Sequence, residues 1–450
     1  MSLLIDNVII FTNTPGKNIF SNSALVIQDN KISAIGEAKV LKARFPALPH
    51  LNGNGRLLMP GLVNAHMHSY STFARGIAMQ DSPANFSDVL EMLWWKLDRT
   101  LDLDAVYYSA LVPAITAVKR GVTSVIDHHA SPNAVDGSLD RVEEALSQLG
   151  LRASLCYEIS DRDGAAIAAA GLVENERYIK KCLQAKAKNA NHLFDGLVGL
   201  HASFTLEDST LEKAAALSAS LASGCHIHTL EDAADQRESL RKYNRGVIER
   251  LRHFDILGSK SIAVHCIHLN EGDKDSLAES GSSVVHNPQS NMNNAVGRTD
   301  IFGFLARDVL LGLGTDGMSP DLAPDIRTAN LLHKHDLKKS TVGWNEIQTM
   351  VLENNPAIFE RVTGQKVGRL EVGAHADMIL VDYFPPTPLT GENFWGHFLY
   401  GIADAEVDTT IINGDIVMQN KIIASIDEAR IAHEAQVVAK RVWKKFLEKN

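Results

Sequence analysis

Apolar residues gather in eight short runs along the middle of this chain, and each run closes on polar, often ionisable, residues. The runs cover 58–68, 121–129, 151–160, 194–202, 224–231, 261–269, 282–288 and 309–317. Longer stretches with helical spacing lie between them, among them 101–119, 140–149, 174–190 and 210–222. Strands alternating with helices make parallel βαβ units. Eight such units in about 300 residues predict an α/β fold, a (β/α)8 TIM barrel, here over 58–363. Such a barrel collects its chemistry at the C-terminal strand ends. The polar residues fall there: His66 and His68, Asp127-His128-His129, His201, His228 with Glu231, His265, His286 and Asp316.

The two ends of the chain have a different rhythm. Residues 1–57 and 364–425 read as short strands broken by turn signals such as Asp29-Asn30-Lys31 and Asn413-Gly414. Neither end alone can bury both faces of a sheet, so the two are expected to pair into one small β-sandwich. From 426 to 450 a helical pattern with a basic end closes the chain.

The strongest local signal is Asn64-Ala65-His66-Met67-His68. Imidazoles two residues apart on a strand share a face. Two neutral nitrogen donors then stand side by side, as a divalent metal needs. Strand five ends His226-Ile227-His228-Thr229-Leu230-Glu231. His228 offers a third nitrogen, and Glu231 an acid able to reach over the metal. His226 shares the parity of His228 and is expected inward but deeper. Strand eight ends Gly314-Thr315-Asp316-Gly317, where glycine permits the close turn that exposes a carboxylate. His66, His68, His228 and Asp316 therefore predict a site for one metal ion with room for water.

A divalent metal brings the ionisation of water close to neutrality, and the hydroxide can attack an electron-poor ring carbon. Asp316 is positioned to accept the water proton, and Glu231 to carry a proton to a ring nitrogen and the leaving group. On strand six His265 is the expected group that orients or polarises the attacking oxygen. His268, of opposite parity, is expected to be structural. This donor set suits zinc best, with iron and manganese also allowed.

Composition narrows the classes further. A formal net charge of −10 argues against nucleic acid or an anionic membrane as partner. No apolar run is long enough for a membrane span, and no signal peptide is read at the N-terminus. Cys156, Cys182, Cys225 and Cys266 form no CxxC pair, so buried free thiols and a cytoplasmic location are expected. The HxE…PCxxC arrangement of cytidine-deaminase zinc sites is absent.

Over nearly its whole length the chain resembles the amidohydrolase superfamily, in its mononuclear branch of guanine, cytosine and adenosine-type deaminases and triazine chlorohydrolases. The resemblance rests on PGLVNAHMH at 60–68, HTLE at 228–231, VHCIHL at 264–269, HNPQSN at 286–291 and GTDG at 314–317. VIDHHASP at 125–132 and GLHASFTL at 199–206 are closest in wording to the SsnA-type aminohydrolases. The resemblance implies metal ligation by His66, His68, His228 and Asp316, catalytic roles for Glu231 and His265, a purine-like heterocyclic substrate, and a homodimer. Strand four ends Leu200-His201-Ala202 and lacks the lysine that bridges two metals in dinuclear relatives.

Other candidates are left open by the residues. Arg75 can hold an anionic or carbonyl group of a substrate, or sit in a surface ion pair. Trp94 and Trp95 can cover an aromatic ring or pack a core. One of His128 and His129 is expected to face the pocket. His201, His286 and Asn291 divide between substrate contact and structural hydrogen bonding. Three functions follow: deamination of an amino-substituted N-heterocycle; opening of a cyclic amide or displacement of chloride at the same site; or a barrel kept only for binding or assembly. The complete donor set disfavours the third. Glu231 favours the first, because ammonia needs a proton to leave and chloride does not.

Overall fold

The computed structural model describes residues 2–16, 18–79 and 81–448. Each of the eight apolar runs contains a barrel strand: Leu62–Met67, Val122–His129, Arg152–Tyr157, Val198–Ala202, Cys225–Thr229, Ile262–His265, Ser283–His286 and Leu311–Leu313. Strands one to three continue into the short Phe194–Gly196, and Val198–Ala202 begins a second parallel row running to strand eight. Two bridges join the rows, Ile159 with Leu200 and Met67 with Asp316, so the barrel closes. Residues on these strands are buried throughout. Strands covered on both faces read as continuous apolar runs rather than alternating ones.

The first run differs from its expected single strand. Leu57–Pro60 pairs with Leu3–Phe11 and Met378–Val381, outside the barrel, and only Leu62–Met67 enters it. The break is Gly61, where a Cβ would lie 2.2 Å from the Thr123 hydroxyl. Only glycine lets the chain pass that close.

Both chain ends meet in one eight-stranded sheet rather than in two separate ones. Its order is Asp415–Met418, Val407–Ile412, Met378–Val381, Leu57–Pro60, Leu3–Phe11, Ile19–Gln28 and Lys31–Glu37, with His50–Asn52 beside Leu3–Phe11. Its hairpins use the predicted turns: Asp29 and Asn30 have φ of 51° and 66°, and Asn413 and Gly414 have 52° and 80°. Two left-handed residues in succession match the twist of the flanking strands. Ile5, Ile10, Leu25, Ile27, Met378 and Ile411 form one apolar cluster on this sheet. Among the described residues no helix contributes to that cluster. The other face takes the helix Ala38–Arg44, which the sequence did not announce.

Arg152, at the start of barrel strand three, ties the two parts together. It is fully buried and pairs with Asp377 through Nε at 2.6 Å and Nη2 at 3.1 Å, while Nη2 also reaches Asn413 Oδ1 at 3.1 Å. The helix Glu428–Glu448 packs Ile431, Ala435, Val438, Val442 and Phe446 inward. It also donates Trp443 Nε1 to Phe73 O at 2.7 Å, bracing the loop after His68. The helix Ala165–Lys188 starts earlier than the spacing suggested, through an alanine-rich segment of high helix propensity. No single helix among the described residues is long and apolar enough to cross a membrane.

Candidate active site

The rings of His66, His68 and His228 converge with Asp316 at the C-terminal mouth of the barrel. Asp316 Oδ1 lies 3.3 Å from His66 Nε2 and 3.1 Å from His68 Nε2, and the Nε2 atoms of His68 and His228 are 3.1 Å apart. Backbone geometry aims them. Strand eight docks on strand one through Thr315 N and Asp316 N, both bonded to His66 O, and His68 N bonded to Asp316 O. A Cβ at Gly314 would stand 2.7 Å from His66 O, so glycine is required for that approach. Asp316 then turns out with φ of 54°, and Leu230, just before Glu231, with φ of 49°. Left-handed non-glycine residues of this kind cost about 1–3 kcal/mol each and persist where the surroundings dictate them.

The second nitrogens fix the tautomers. His68 Nδ1 donates to His128 O at 2.6 Å, and His228 Nδ1 donates to His201 O at 3.0 Å. Each ring therefore turns its Nε2 lone pair inward, as a metal ligand must. His66 Nδ1 lies 2.9 Å from His226 Nε2, and His66 Nε2 is a buried nitrogen without a hydrogen-bond partner. His226 is thus a partner behind His66, deeper than His228, in line with its parity. Burial holds His66 down to about 3 and His228 well below its ordinary value, keeping both neutral. Burial also opposes charge on His68, but Asp316 outweighs it and lifts that imidazole to about 9, so a cation here competes with a proton. Three imidazoles and a carboxylate, one imidazole nitrogen orphaned and two second nitrogens anchored to backbone, fit a divalent metal.

Glu231 and His265 stand beside this cluster. His265, with φ of 69°, turns Nε2 to within 3.4 Å of Glu231 Oε2, while its Nδ1 meets Asn291 Oδ1 at 2.8 Å. Asn294 Nδ2 donates to Glu231 Oε1 at 3.1 Å, and Ser290 Oγ donates to Asp316 Oδ2. Burial, reinforced by Asp316, raises the Glu231 carboxyl to about 7 even though His265 and Asn294 pull it down. A carboxyl poised near neutrality can both take and give a proton.

A cavity open to solvent lies above these groups. Trp94, Trp95, Phe204 and Tyr70 supply its apolar wall, and His201 reaches it from strand four. Other expected contacts lie elsewhere. Arg75 is exposed at the end of the 3-10 helix Ser69–Ala74 and does not line the cavity. His128 is fully buried below the cavity, with Nε2 on His226 O at 3.1 Å, and His129 is buried with Nε2 on Ser131 Oγ at 2.9 Å. Neither lines the cavity; of the two, His128 faces the histidine cluster, 4.7 Å from the His228 ring. His286 bonds Thr299 Oγ1 at 3.0 Å beside His333, and Asn291 serves His265. His268 bonds Val296 O at 2.9 Å, outside the cluster. The sequence reading missed Glu158, Ser290 and Asn294. Glu158 closes the third strand's run, so the strand-end rule alone would have flagged it.

Fold and donor set together place the chain in a known class: it belongs to the amidohydrolase family, whose model matches residues 57–417. Among curated relatives it is 30% identical to the 5-methylthioadenosine/S-adenosylhomocysteine deaminase of Desulforudis audaxviator, over 93% of this chain and 94% of that one. It is also 30% identical to the 5'-deoxyadenosine deaminase of Methanosarcina mazei, over 98% of both chains. A solved adenosine deaminase from Xanthomonas campestris with bound zinc superposes with a TM-score of 0.85 at 24% identity, over 98% of each chain. Atrazine chlorohydrolase from Arthrobacter aurescens, complexed with zinc, gives 0.80 at 19% identity over 97% of this chain and all of that one. At these identities the solved structures bear on the fold alone.

Proposed function

We propose that this chain is a metal-dependent hydrolase that deaminates an amino-substituted N-heterocycle of the purine nucleoside type, with release of ammonia. The observation that carries the reading is the Glu231 carboxyl, held by Asn294 Nδ2 at 3.1 Å and 3.4 Å from His265 Nε2, set beside His66, His68, His228 and Asp316 in an aromatic-walled cavity. The curated relatives, both deaminases of adenosine-like molecules, support the substrate class. His66, His68, His228 and Asp316 would hold the ion, and zinc is the choice that fits the three imidazoles best. Bound there, it would supply Lewis-acid activation of water.

The chain's own groups do the rest. Asp316 accepts the proton of the attacking water. Glu231 delivers a proton to the ring nitrogen and then to the departing amine. His265, locked by Asn291, points Nε2 at the place where the new C–O bond forms. Aromatic side chains exclude water and hold the ring flat. Displacement of chloride would need less of an acid poised at the leaving group, and no observation favours it or the opening of a cyclic amide. A cytoplasmic location belongs to the same reading, in line with four buried free cysteines.

The test is a panel of adenosine-type nucleosides, aminopyrimidines, pterins and cyclic ureides offered to the metal-replete protein. Ammonia is expected from the aminopurine members. Ring opening without ammonia, or no reaction with any member, would overturn the assignment.

A further inference from the structure

Glu158 takes no part in the chemistry above, yet it is a carboxylate on the cavity wall. It follows the third barrel strand directly, its N–H bonded to His129 O at 2.7 Å, and is only 5% exposed. Its nearest donors are His128 Nδ1 at 3.3 Å and Arg162 Nη2 at 3.8 Å. Arg162 hydrogen-bonds Asp98 through Nη2 and lies 3.4 Å from Asp163, and it does not line the cavity. Burial works against charge on Glu158, but His201, His128 and Arg162 outweigh it and hold the carboxyl well below its usual range. A carboxylate offers about four acceptor positions. At most one is occupied by the protein, which leaves acceptor capacity at the cavity wall.

A second metal ion does not account for it. His68, His128, Glu158 and His228 do lie within 4.8 Å of one another. However, the Nε2 atoms of His68 and His228 face each other within the first cluster, and one lone pair serves one ion. Glu158 and His128 alone are too few. The charge of the whole wall is informative too. Glu158, Glu231, Asp232, Asp235 and Asp316 line the cavity, and no lysine or arginine does so among the described residues.

We propose that Glu158 determines specificity: it accepts hydrogen bonds from hydroxyl or amine groups of the substrate, so the site takes neutral or cationic amino-heterocycles and rejects those with an anionic tail. The inference rests on the deaminase reading and adds a substrate class to it. Like-charge juxtaposition and an unpaired polar group are the two devices by which a buried site discriminates most strongly.

The experiment compares wild type with Glu158→Gln, which keeps size and shape, on adenosine, 2′,3′-dideoxyadenosine and adenosine 5′-monophosphate. Ammonia release and metal content are both measured. Wild type should favour adenosine over each of the other two by about tenfold or more in kcat/KM. The variant should keep its metal and most of its kcat, raise KM for adenosine about tenfold, and lose most of both preferences. Unchanged preferences in the variant would overturn the proposal. So would a uniform loss of kcat on all three, which marks a positioning role through His128. Equal wild-type activity on the monophosphate and adenosine, or activity only on panel members with no donor beyond the ring, also overturns it. Ammonia from no panel member at all would instead remove the deaminase reading.

Discussion

The two walls of the cavity are made of the same material, ionisable residues at the C-terminal ends of barrel strands, but they are held differently. On the metal-donor wall each histidine is pinned through its second nitrogen, to His128 O, to His201 O or to His226. Asp316 and Glu231 are aimed by left-handed backbone at or just before them. Beside them, within 4.8 Å of the His68 and His228 donor atoms, Glu158 keeps acceptor positions open, and its one arginine neighbour hydrogen-bonds Asp98. The pinned wall has few ways to adapt to its ligand, whereas the other wall is completed only by one. That contrast separates the reaction from the choice of molecule. Fixed dipoles and donors lower a barrier without reorganising, and unsatisfied polar groups discriminate among ligands.

Substitutions can break or sharpen this contrast. The largest effect is expected for His228→Ala, which should release the metal and lower ammonia production by about 10⁴-fold or more. Elemental analysis together with the ammonia assay checks it, and a variant that keeps its metal would dissolve the distinction between the walls. Glu231→Gln should retain metal and still lose about 10²–10⁴-fold in turnover. A normal rate there would contradict its role in proton transfer. Asn291→Ala removes the acceptor that fixes His265 and should cost about 10–100-fold in kcat, with KM and metal content little changed. A rise in KM alone would move Asn291 to the recognising side.

A milder effect is expected in the pH dependence of stability. Asp325 is 1% exposed, accepts Gln289 N at 3.1 Å from the helix Pro288–Asn293 that carries Ser290 and Asn291, and burial raises it to about 8. The folded state therefore binds a proton that the unfolded chain has released, and stability falls as pH rises from about 4 to about 8. Asp325→Asn should flatten that slope and gain about 1–3 kcal/mol over wild type at pH 8 relative to pH 5. Urea unfolding at the two pH values measures it; parallel curves would refute the shift. The smallest effect belongs to Arg75→Ala. Exposed and outside the cavity, Arg75 should change kcat/KM by no more than about twofold. A larger loss, measured with the same substrates, would bring it back to the recognising wall.

Much of the first wall could be read from the chain because its chemistry is written in local spacing. His66 and His68 share a strand face, His228 and Glu231 leave one strand end, and Asp316 sits between glycines that only a close approach requires. The second wall could not be read this way. Glu158 follows Tyr157 at a strand end, where the barrel rule would flag it, but no local spacing gives its role, which comes from His128, Arg162 and a cavity lining without lysine or arginine among the described residues. His128, His286 and Asn291 mislead for the same reason. Their strand-end positions are right, but neighbours distant in sequence, His226, Thr299 and His265, occupy their polar atoms.

Periodicity and strand-end residues by themselves determined the barrel, the order of its strands and the donor types, because side-chain direction on a strand is set by the backbone alone. Packing between strands decided what sequence spacing could not. It put Leu57–Pro60 in the outer sheet, set His226 behind His66, and left Glu158 with acceptor capacity facing the cavity. Whether a polar atom is satisfied or open depends on partners that only the closed barrel brings within hydrogen-bonding distance.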